Sequence, residues 1–222
     1  MLETFNFRII FEYLPLYVQC FWATVWLSGV SLLGALVTGI VACGMRLSSS
    51  RPMSWSAGVY IESIRATPLL VQIYFLYFGL PSLGIQVSET FTGVTALTLN
   101  SGAYMAEIIR AGVQSIPHGQ VESGVAYGFS YLQRMRYLIL PQALGATIPP
   151  LLGQAIVLVK DSALLSLISI MELTRAGQML NSERFMPAEG FLTTAVFYLI
   201  IYYMLKTMSE WSQKRLIFRE SH

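Results

Sequence analysis

The stretch Tyr13–Met45, YLPLYVQCFWATVWLSGVSLLGALVTGIVACGM, contains no charged residue. About 17 to 25 apolar residues cross the hydrocarbon layer of a membrane as a helix, so this run is long enough to span it. It is too long for the apolar core of a cleaved signal peptide, and the acidic residues Glu3 and Glu12 before it are unlike the basic start of a signal. The stretch therefore predicts a transmembrane helix that is kept in the protein.

The rest of the chain has the same apolar character. Of its 222 residues 55% are hydrophobic and 12% are charged, whereas about 25% charged is usual for a soluble domain. We expect an all-α integral membrane protein, with residues 1–222 forming a single transmembrane domain. The predicted spans, of which the third and fifth lie in apolar runs of marginal length, are residues 16–45, 67–83, 90–111, 141–160 and 190–210. Residues 1–12 are expected to form an interfacial helix or a frayed terminus.

The placement of basic residues predicts the orientation of these spans. Lys and Arg collect in cytoplasmic loops, and three basic groups fall on one side if the N-terminus is outside. These groups are Arg46 with Arg51, Arg134 with Arg136, and Lys214 with Arg215 and Arg219. The sequence therefore predicts five spans with the N-terminus outside and the C-terminus inside, and it places the polar loop 112–140 in the cytoplasm.

Polar side chains recur within the predicted spans. Asn100, Tyr104 and Glu107 stand at i, i+4 and i+7, so they form a polar stripe along one face of the third span. A carboxylate in a span costs about 2.5–3.5 kcal/mol, so the stripe should face protein or water. It either lines a substrate pathway or only packs the helix bundle.

Other polar residues extend the candidate pathway. Seven-residue spacing predicts that Arg65 and Gln72 share one helix face and that Gln154 and Asp161 share another. Arg65 could also pair with Glu62, three residues before it. A zwitterionic substrate needs a cation or N–H donors at its carboxylate and an acceptor at its ammonium group. The candidate pathway residues are Arg65, Gln72, Asn100, Tyr104, Glu107, Gln154 and Asp161.

Two irregular segments follow the central loop. Pro149-Pro150 is expected to break the fourth span, with freed carbonyls lining a cavity. Residues 162–171 are apolar but too short to span, which favours a re-entrant or interfacial helix.

The sequence lacks the motifs that are typical of several enzymatic and ligand-binding activities. The three lysines stand outside any Gly-x-x-x-x-Gly-Lys-Ser/Thr phosphate loop, so ATP binding by that route is not expected. His118 and His222 are isolated, which argues against a metal site, and no Gly-x-Ser-x-Gly elbow supports a hydrolase. No basic patch with interleaved aromatics suggests nucleic acid.

The central stretch Pro117–Pro141, PHGQVESGVAYGFSYLQRMRYLILP, resembles the cytoplasmic motif of permease subunits of bacterial ABC importers. That motif is Glu-Ala-Ala, three residues, Gly, nine residues, Ile, one residue and Leu-Pro. Glu122-Ser123-Gly124, Gly128, Leu138 and Leu140-Pro141 stand at this spacing, with small residues for the two alanines and Leu for Ile. The residues that the resemblance assigns to ATPase coupling are Glu122, Ser123, Gly124, Gly128, Arg134, Leu140 and Pro141.

Further segments are similar to the polar amino-acid uptake branch of these type I permeases. They are RATPLLVQ at 65–72, GAYMAEIIR at 102–110 and KDS at 160–162. One departure is Gly153-Gln154, where relatives often have Asn followed by Asn, Glu or Gln.

The resemblance implies a multi-pass subunit of the bacterial cytoplasmic membrane, in contact with membrane lipid, for a small-molecule amino acid. The implied partners are a second permease chain, identical or homologous, two cytoplasmic ATPases that hold ATP and Mg²⁺, and an extracytoplasmic substrate-binding protein. No cofactor is expected in this chain. The alternatives are an opine or sulfur-containing substrate for the same architecture, and a stand-alone channel or membrane scaffold.

Overall fold

The computed structural model describes residues 5–220, with side chains to residue 211. Every regular element in this range is helical, which confirms the all-α prediction. The helices are α1 Phe7–Arg46, α2 Arg51–Ala66, α3 Leu69–Tyr74, α4 Leu80–Ser82, α5 Glu89–Gln114, α6 His118–Ala126, α7 Tyr131–Arg134, α8 Leu140–Asp161, α9 Leu173–Arg184 and α10 Pro187–Glu220. Two π-helical turns, Phe75–Gly79 and Met135–Ile139, join α3 to α4 and α7 to α8, and the 3-10 helix Ser162–Ile168 follows α8.

Three helical stretches in the described chain are long and apolar enough to cross a membrane. They are Phe7–Arg46, Tyr131–Ile168 and Pro187–Trp211, and α2 together with Leu69–Ser82 makes a fourth candidate. With 26 residues, α5 also has the length of a span, but Asn100, Glu107 and Arg110 make it less apolar. The number of five spans, their bounds and their orientation stay predictions.

The first helix is longer than the predicted span. It begins at Phe7 and runs without interruption to Arg46, so residues 7–12 are part of α1 and not a separate interfacial helix. Residues 1–4 of that predicted segment lie outside the described range. Glu12 in this extension is paired with Arg184 at the end of α9, so its charge has a partner within the protein.

The chain leaves helical geometry at Thr67-Pro68. Pro68 has φ −62° and ψ 138°, an extended conformation, and it precedes the first residue of α3. Arg65 therefore lies on α2 and Gln72 on α3, and the prediction that they share one helix face is wrong. The physical reason is that a residue before proline is pushed out of the α region, which ends the preceding helix.

The predicted break at Pro149-Pro150 is also wrong. Both prolines lie inside α8, which continues from Leu140 to Asp161. The fixed φ of proline is compatible with a helix, and its cost lies in the lost N–H donor and the crowding of the carbonyl four residues earlier. Those carbonyls belong to Gly145 and Ala146, two small residues.

The described chain forms two compact units. The first unit contains the residues up to Leu33, Thr67–Thr98 and Ile156–Lys206, and the second contains Gly34–Ala66, Leu99–Ala155 and the residues from Thr207 onward. The core of the first unit has two apolar clusters, one around Leu97 and Leu165 and one around Tyr17 and Leu180. The core of the second unit lies around Ala42, Cys43, Ile61 and Ala106.

Glycines allow close helix approach in both units. In the first unit a Cβ on Gly190 would lie 2.8 Å from the carbonyl oxygen of Gly177, so α9 and α10 meet backbone to backbone. In the second unit a Cβ on Gly39 would lie 3.2 Å from the carbonyl oxygen of Gly102. The small residues of α1 therefore place α5 close to it.

Candidate functional site

The second unit contains a cluster of charges along α5. Glu107 is held by Arg110, one turn further on, whose Nε and Nη2 donate to the two carboxylate oxygens at 2.9 and 2.7 Å. Such a two-pronged contact is the strong form of an arginine–carboxylate pair. The Glu107 side chain is 22% exposed, so the ion pair is partly screened from solvent.

Arg65 approaches the same carboxylate from the end of α2. Its Nη1 lies 3.8 Å from Glu107 Oε2, and its guanidinium carbon lies 5.3 Å from the centre of the Tyr104 ring. With 41% of its side chain exposed, Arg65 is the more accessible of the two arginines and the more loosely held. Two cations and one carboxylate give this cluster a net positive charge.

The amides of the second unit lie on α5 and α8. Asn100 is 5% exposed, which places it in the protein interior. Gln154 Nε2 donates to Ser101 Oγ at 3.4 Å, so α8 and α5 meet through polar groups beside Asn100. The structure thus brings Arg65, Tyr104 and Glu107 into contact and puts the amides of Asn100 and Gln154 on helices of the same unit.

The remaining pathway candidates belong to the first unit. Gln72 Nε2 donates to the carbonyl oxygen and Oγ1 of Thr67, at 3.1 and 2.9 Å, and so bridges the break before α3. Asp161 is the last residue of α8 and is partly buried. These contacts tie Gln72 to the Thr67-Pro68 break.

Sequence reasoning missed two partners in these clusters. Arg110 was absent from the candidate set, although its i, i+3 spacing from Glu107 is visible in the sequence. Glu62 pairs with Arg46 at 3.3 Å and not with Arg65, so that predicted pair is wrong. The reason lies in the tertiary structure. Arg46, the last residue of α1, lies beside α2, where it also donates to the Ser54 carbonyl at 3.1 Å.

The predicted coupling loop 112–140 starts in the last residues of α5, and the short helix α6 follows. Glu122 and Ser123 are exposed on it, whereas Gly124 is its buried residue. A Cβ on Gly124 would lie 2.7 Å from Leu138 Cδ1 and 3.0 Å from Arg134 Cγ. Gly124 therefore provides room for the protein's own next helix, and Glu122 and Ser123 are the motif residues of α6 available to a partner.

Gly128 ends α6 by its backbone conformation. Its φ is +74°, a left-handed value that glycine adopts without steric cost, and a Cβ there would meet no atom within 4 Å. The N–H of Phe129 bonds to the Gly124 carbonyl and the N–H of Gly128 to the Val125 carbonyl, both at 2.9 Å. This pair of bonds is a Schellman motif, which satisfies the last carbonyls of the helix.

The second half of the loop starts with its own cap. Ser130 and Gln133 form a reciprocal capping box at the start of α7, and the helix then continues to Leu140 and Pro141 in α8. Arg134 Nε is buried and makes no hydrogen bond within the described residues. The loop is thus a pair of capped helices with a fixed turn between them.

Long apolar helices, together with an ion-pair cluster on a more polar helix, are features of a multi-pass membrane protein such as a permease. Residues 32–219 match the family of inner membrane components of binding-protein-dependent transport systems, and the chain belongs to that family. Membership confirms the predicted permease identity, the cytoplasmic-membrane location and the expectation that the chain is not an enzyme. ATPase and binding-protein partners follow in general from this membership.

Individual relatives cover nearly the whole chain. The glutamine transport system permease protein GlnP of Escherichia coli K12 is 38% identical over 96% of this chain and 98% of its own length. The probable glutamine ABC transporter permease protein GlnM of Bacillus subtilis is 35% identical over 95% and 98%. A crystal structure of an amino acid ABC transporter with histidines superposes with TM-score 0.92 at 34% identity, covering 96% of this chain and 99% of that one. This likeness confirms the type I ABC importer permease fold.

Proposed function

We propose that this chain is one of two permease subunits of an importer that carries a polar amino acid into a bacterial cell. The second permease chain is identical or homologous. Two cytoplasmic ATPases bind ATP and Mg²⁺ and dock on the loop 112–140, and an extracytoplasmic protein delivers the substrate. The names of the similar proteins, which specify glutamine and amino acids, support this substrate class.

The proposal rests on one observation: Arg110 binds Glu107 more closely than Arg65 does. Arg110 already neutralises the carboxylate through two short hydrogen bonds, while Arg65 stands 3.8 Å away and is more exposed. A substrate carboxylate can therefore bind Arg65 without leaving Glu107 unpaired. The Tyr104 ring and the amides of Asn100 and Gln154 supply an aromatic face and neutral acceptors for the rest of a zwitterion.

Energy for uptake comes from the partner ATPases. ATP-driven closure of the ATPase pair moves the two α6 helices, one from each permease chain, and shifts the population between inward-open and outward-open states. Glu122 and Ser123 form the exposed contact, while Gly124 and Gly128 hold the loop in shape. Arg134, Leu140 and Pro141 connect the loop to the pathway through α8.

Uptake by the complete complex in proteoliposomes tests this function. We expect ATP-dependent accumulation of labelled glutamine, and a large rise in KM for Arg65→Gln with the ATPase activity retained. Arg51→Gln is the matched control, since Arg51 is an exposed arginine at the start of the same helix. Equal KM values for wild type and Arg65→Gln contradict the binding role.

The same preparation separates the alternatives. Uptake by the permease without any ATPase indicates a channel. Selective binding of an opine or a sulfur compound by the cognate binding protein, with no binding of glutamine, indicates the same permease architecture with a different substrate.

A further inference from the structure

The first unit contains a cavity of about 470 Å³ that the proposed transport function does not use. Its lining includes Trp26 of α1, Glu89 and Thr90 at the start of α5, and Ser169 with Ile170 after the 3-10 helix. The volume lies within the range of about 300–1,000 Å³ that is usual for small-molecule sites.

The walls of this cavity are fixed by local structure. Ser88 Oγ accepts the N–H of Phe91 at 3.2 Å and so caps the start of α5. Ser169 has φ +64°, and the N–H of Ile170 that follows bonds to the Leu165 carbonyl at 3.3 Å. A Cβ on Gly93 would lie 2.8 Å from Ile170 Cδ1, so α5 packs directly against this wall.

The cavity lining includes one carboxylate, that of Glu89. Glu89 is exposed and forms no ion pair with any residue in the described range. Trp26 also lines the cavity and is 58% exposed, so its side chain is accessible to a bound group. A carboxylate and an indole both attract an ammonium group, and Leu27 and Ile170 offer apolar contact beside them.

We propose that this cavity binds an ammonium group attached to an apolar chain. A zwitterionic phospholipid headgroup and a free alkyl amine share that chemistry. The inference does not depend on the transported substrate, because the pathway cluster of Arg65 and Glu107 belongs to the second unit. Occupation would hold α1, the start of α5 and the Ser169 turn together, since each contributes one wall.

Two measurements on the purified full-length permease distinguish the sources. Native mass spectrometry after reconstitution in nanodiscs of phosphatidylethanolamine and phosphatidylglycerol reports retained lipid, and titration calorimetry with hexylammonium reports a free amine. For the preferred ligand we expect Glu89→Gln and Trp26→Leu each to weaken binding about tenfold. Trp22→Leu is the matched control, because Trp22 is an exposed tryptophan of α1 outside the cavity lining.

Preferential retention of phosphatidylethanolamine that depends on Glu89 and Trp26 supports the site with a lipid as its source. Hexylammonium binding with the same dependence, and no lipid preference, supports it with a free amine. Ligand binding that is unchanged in both variants, or no binding of either probe, overturns the proposal. Thermal midpoints close to that of wild type show that a loss in a variant is not unfolding.

Discussion

At the scale of single residues, the carboxylates of this chain have very different surroundings. Glu107 is partly exposed and bound by two arginines, whereas Glu172 is fully buried and has no cationic side chain bonded to it in the described structure. Glu172 instead caps α9, accepting the N–H groups of Arg175 and Thr174 at 2.8 and 2.9 Å. Tyr198 of α10 donates its hydroxyl to the same carboxylate at 2.8 Å. One side chain thus joins the start of α9 to α10.

The first prediction concerns this buried carboxyl group. Burial raises the pKa of Glu172 from 4.5 to about 6, with the hydrogen bonds from Thr174, Tyr198 and Arg175 opposing the rise. Below about pH 4.5 the group is protonated in both the folded and the unfolded chain. Between pH 4.5 and about 6, Glu172 is ionised in the unfolded chain but still protonated in the folded chain. The free energy of unfolding therefore falls as pH rises, by about 2 kcal/mol in all.

Thermal unfolding of the purified protein between pH 4.5 and 7.5 measures this slope. We expect Glu172→Gln to remove the part of the pH dependence that falls through about pH 6, because a neutral amide keeps the cap without titrating. Glu122→Gln, at an exposed position, is the control and should retain the slope of the wild type. A Glu172→Gln curve parallel to that of wild type would show that the group does not titrate there.

At the scale of elements, the loop 112–140 is built from two caps and one buried contact. The Schellman motif at Gly128 fixes the end of α6, and the Ser130 capping box fixes the start of α7. In addition, Gly124 of α6 packs against Leu138 and the side-chain carbons of Arg134. We therefore expect a partner bound at the exposed face of α6 to act on α8 as well, because these contacts join the two helices.

The second prediction separates backbone conformation from side-chain space in this loop. Gly128 and Gly119 both have open surroundings, but only Gly128 has a positive φ. Gly128→Ala should cost about 1–2 kcal/mol because a Cβ is strained at that φ, whereas Gly119→Ala should stabilise α6 by about 0.5–1 kcal/mol. Hydrogen exchange of the α6 amides and substrate-stimulated ATPase activity of the complex report the two effects.

We expect faster exchange and weaker stimulation for Gly128→Ala only. Gly128→Asn should recover part of the loss, because asparagine tolerates a left-handed backbone better than alanine. If Gly119→Ala and Gly128→Ala behave alike, the left-handed cap is not what shapes the docking surface.

The motif of this loop could be recognised along the sequence, whereas the contacts between elements could not. The spacing from Glu122 to Pro141 is local, so a motif read along the chain could identify it. The partners of Glu62 and Arg65 depend on where α1 and α5 lie in space, and sequence separation gave the wrong pair for Glu62. The effect of each proline on the helix also depends on its tertiary surroundings. Pro68 precedes a new helix, whereas Pro149 and Pro150 lie within one.

At the scale of the whole molecule, energy supply and topology are linked. The chain belongs to a family of binding-protein-dependent transport permeases, and this membership implies a separate ATPase partner. Docking of that partner on the loop 112–140, as proposed, needs this loop to lie inside, and the distribution of basic residues predicts the same side, with the α9–α10 turn outside. The opposite arrangement would leave the docking helix on the side of the membrane without ATP.

The last prediction tests this arrangement in intact cells. Ser115, just after α5, and Ser182, near the end of α9, are exposed serines that each donate to the carbonyl three residues earlier. We expect a membrane-impermeant maleimide to label Ser182→Cys in intact cells and to label Ser115→Cys only after the membrane is permeabilised. Cys20 and Cys43 are buried, and the unsubstituted protein serves as the control for their reactivity. Labelling of both positions from the same side would contradict a topology in which an odd number of spans separates the regions where they lie, and labelling of Ser115→Cys in intact cells would contradict the cytoplasmic docking of α6.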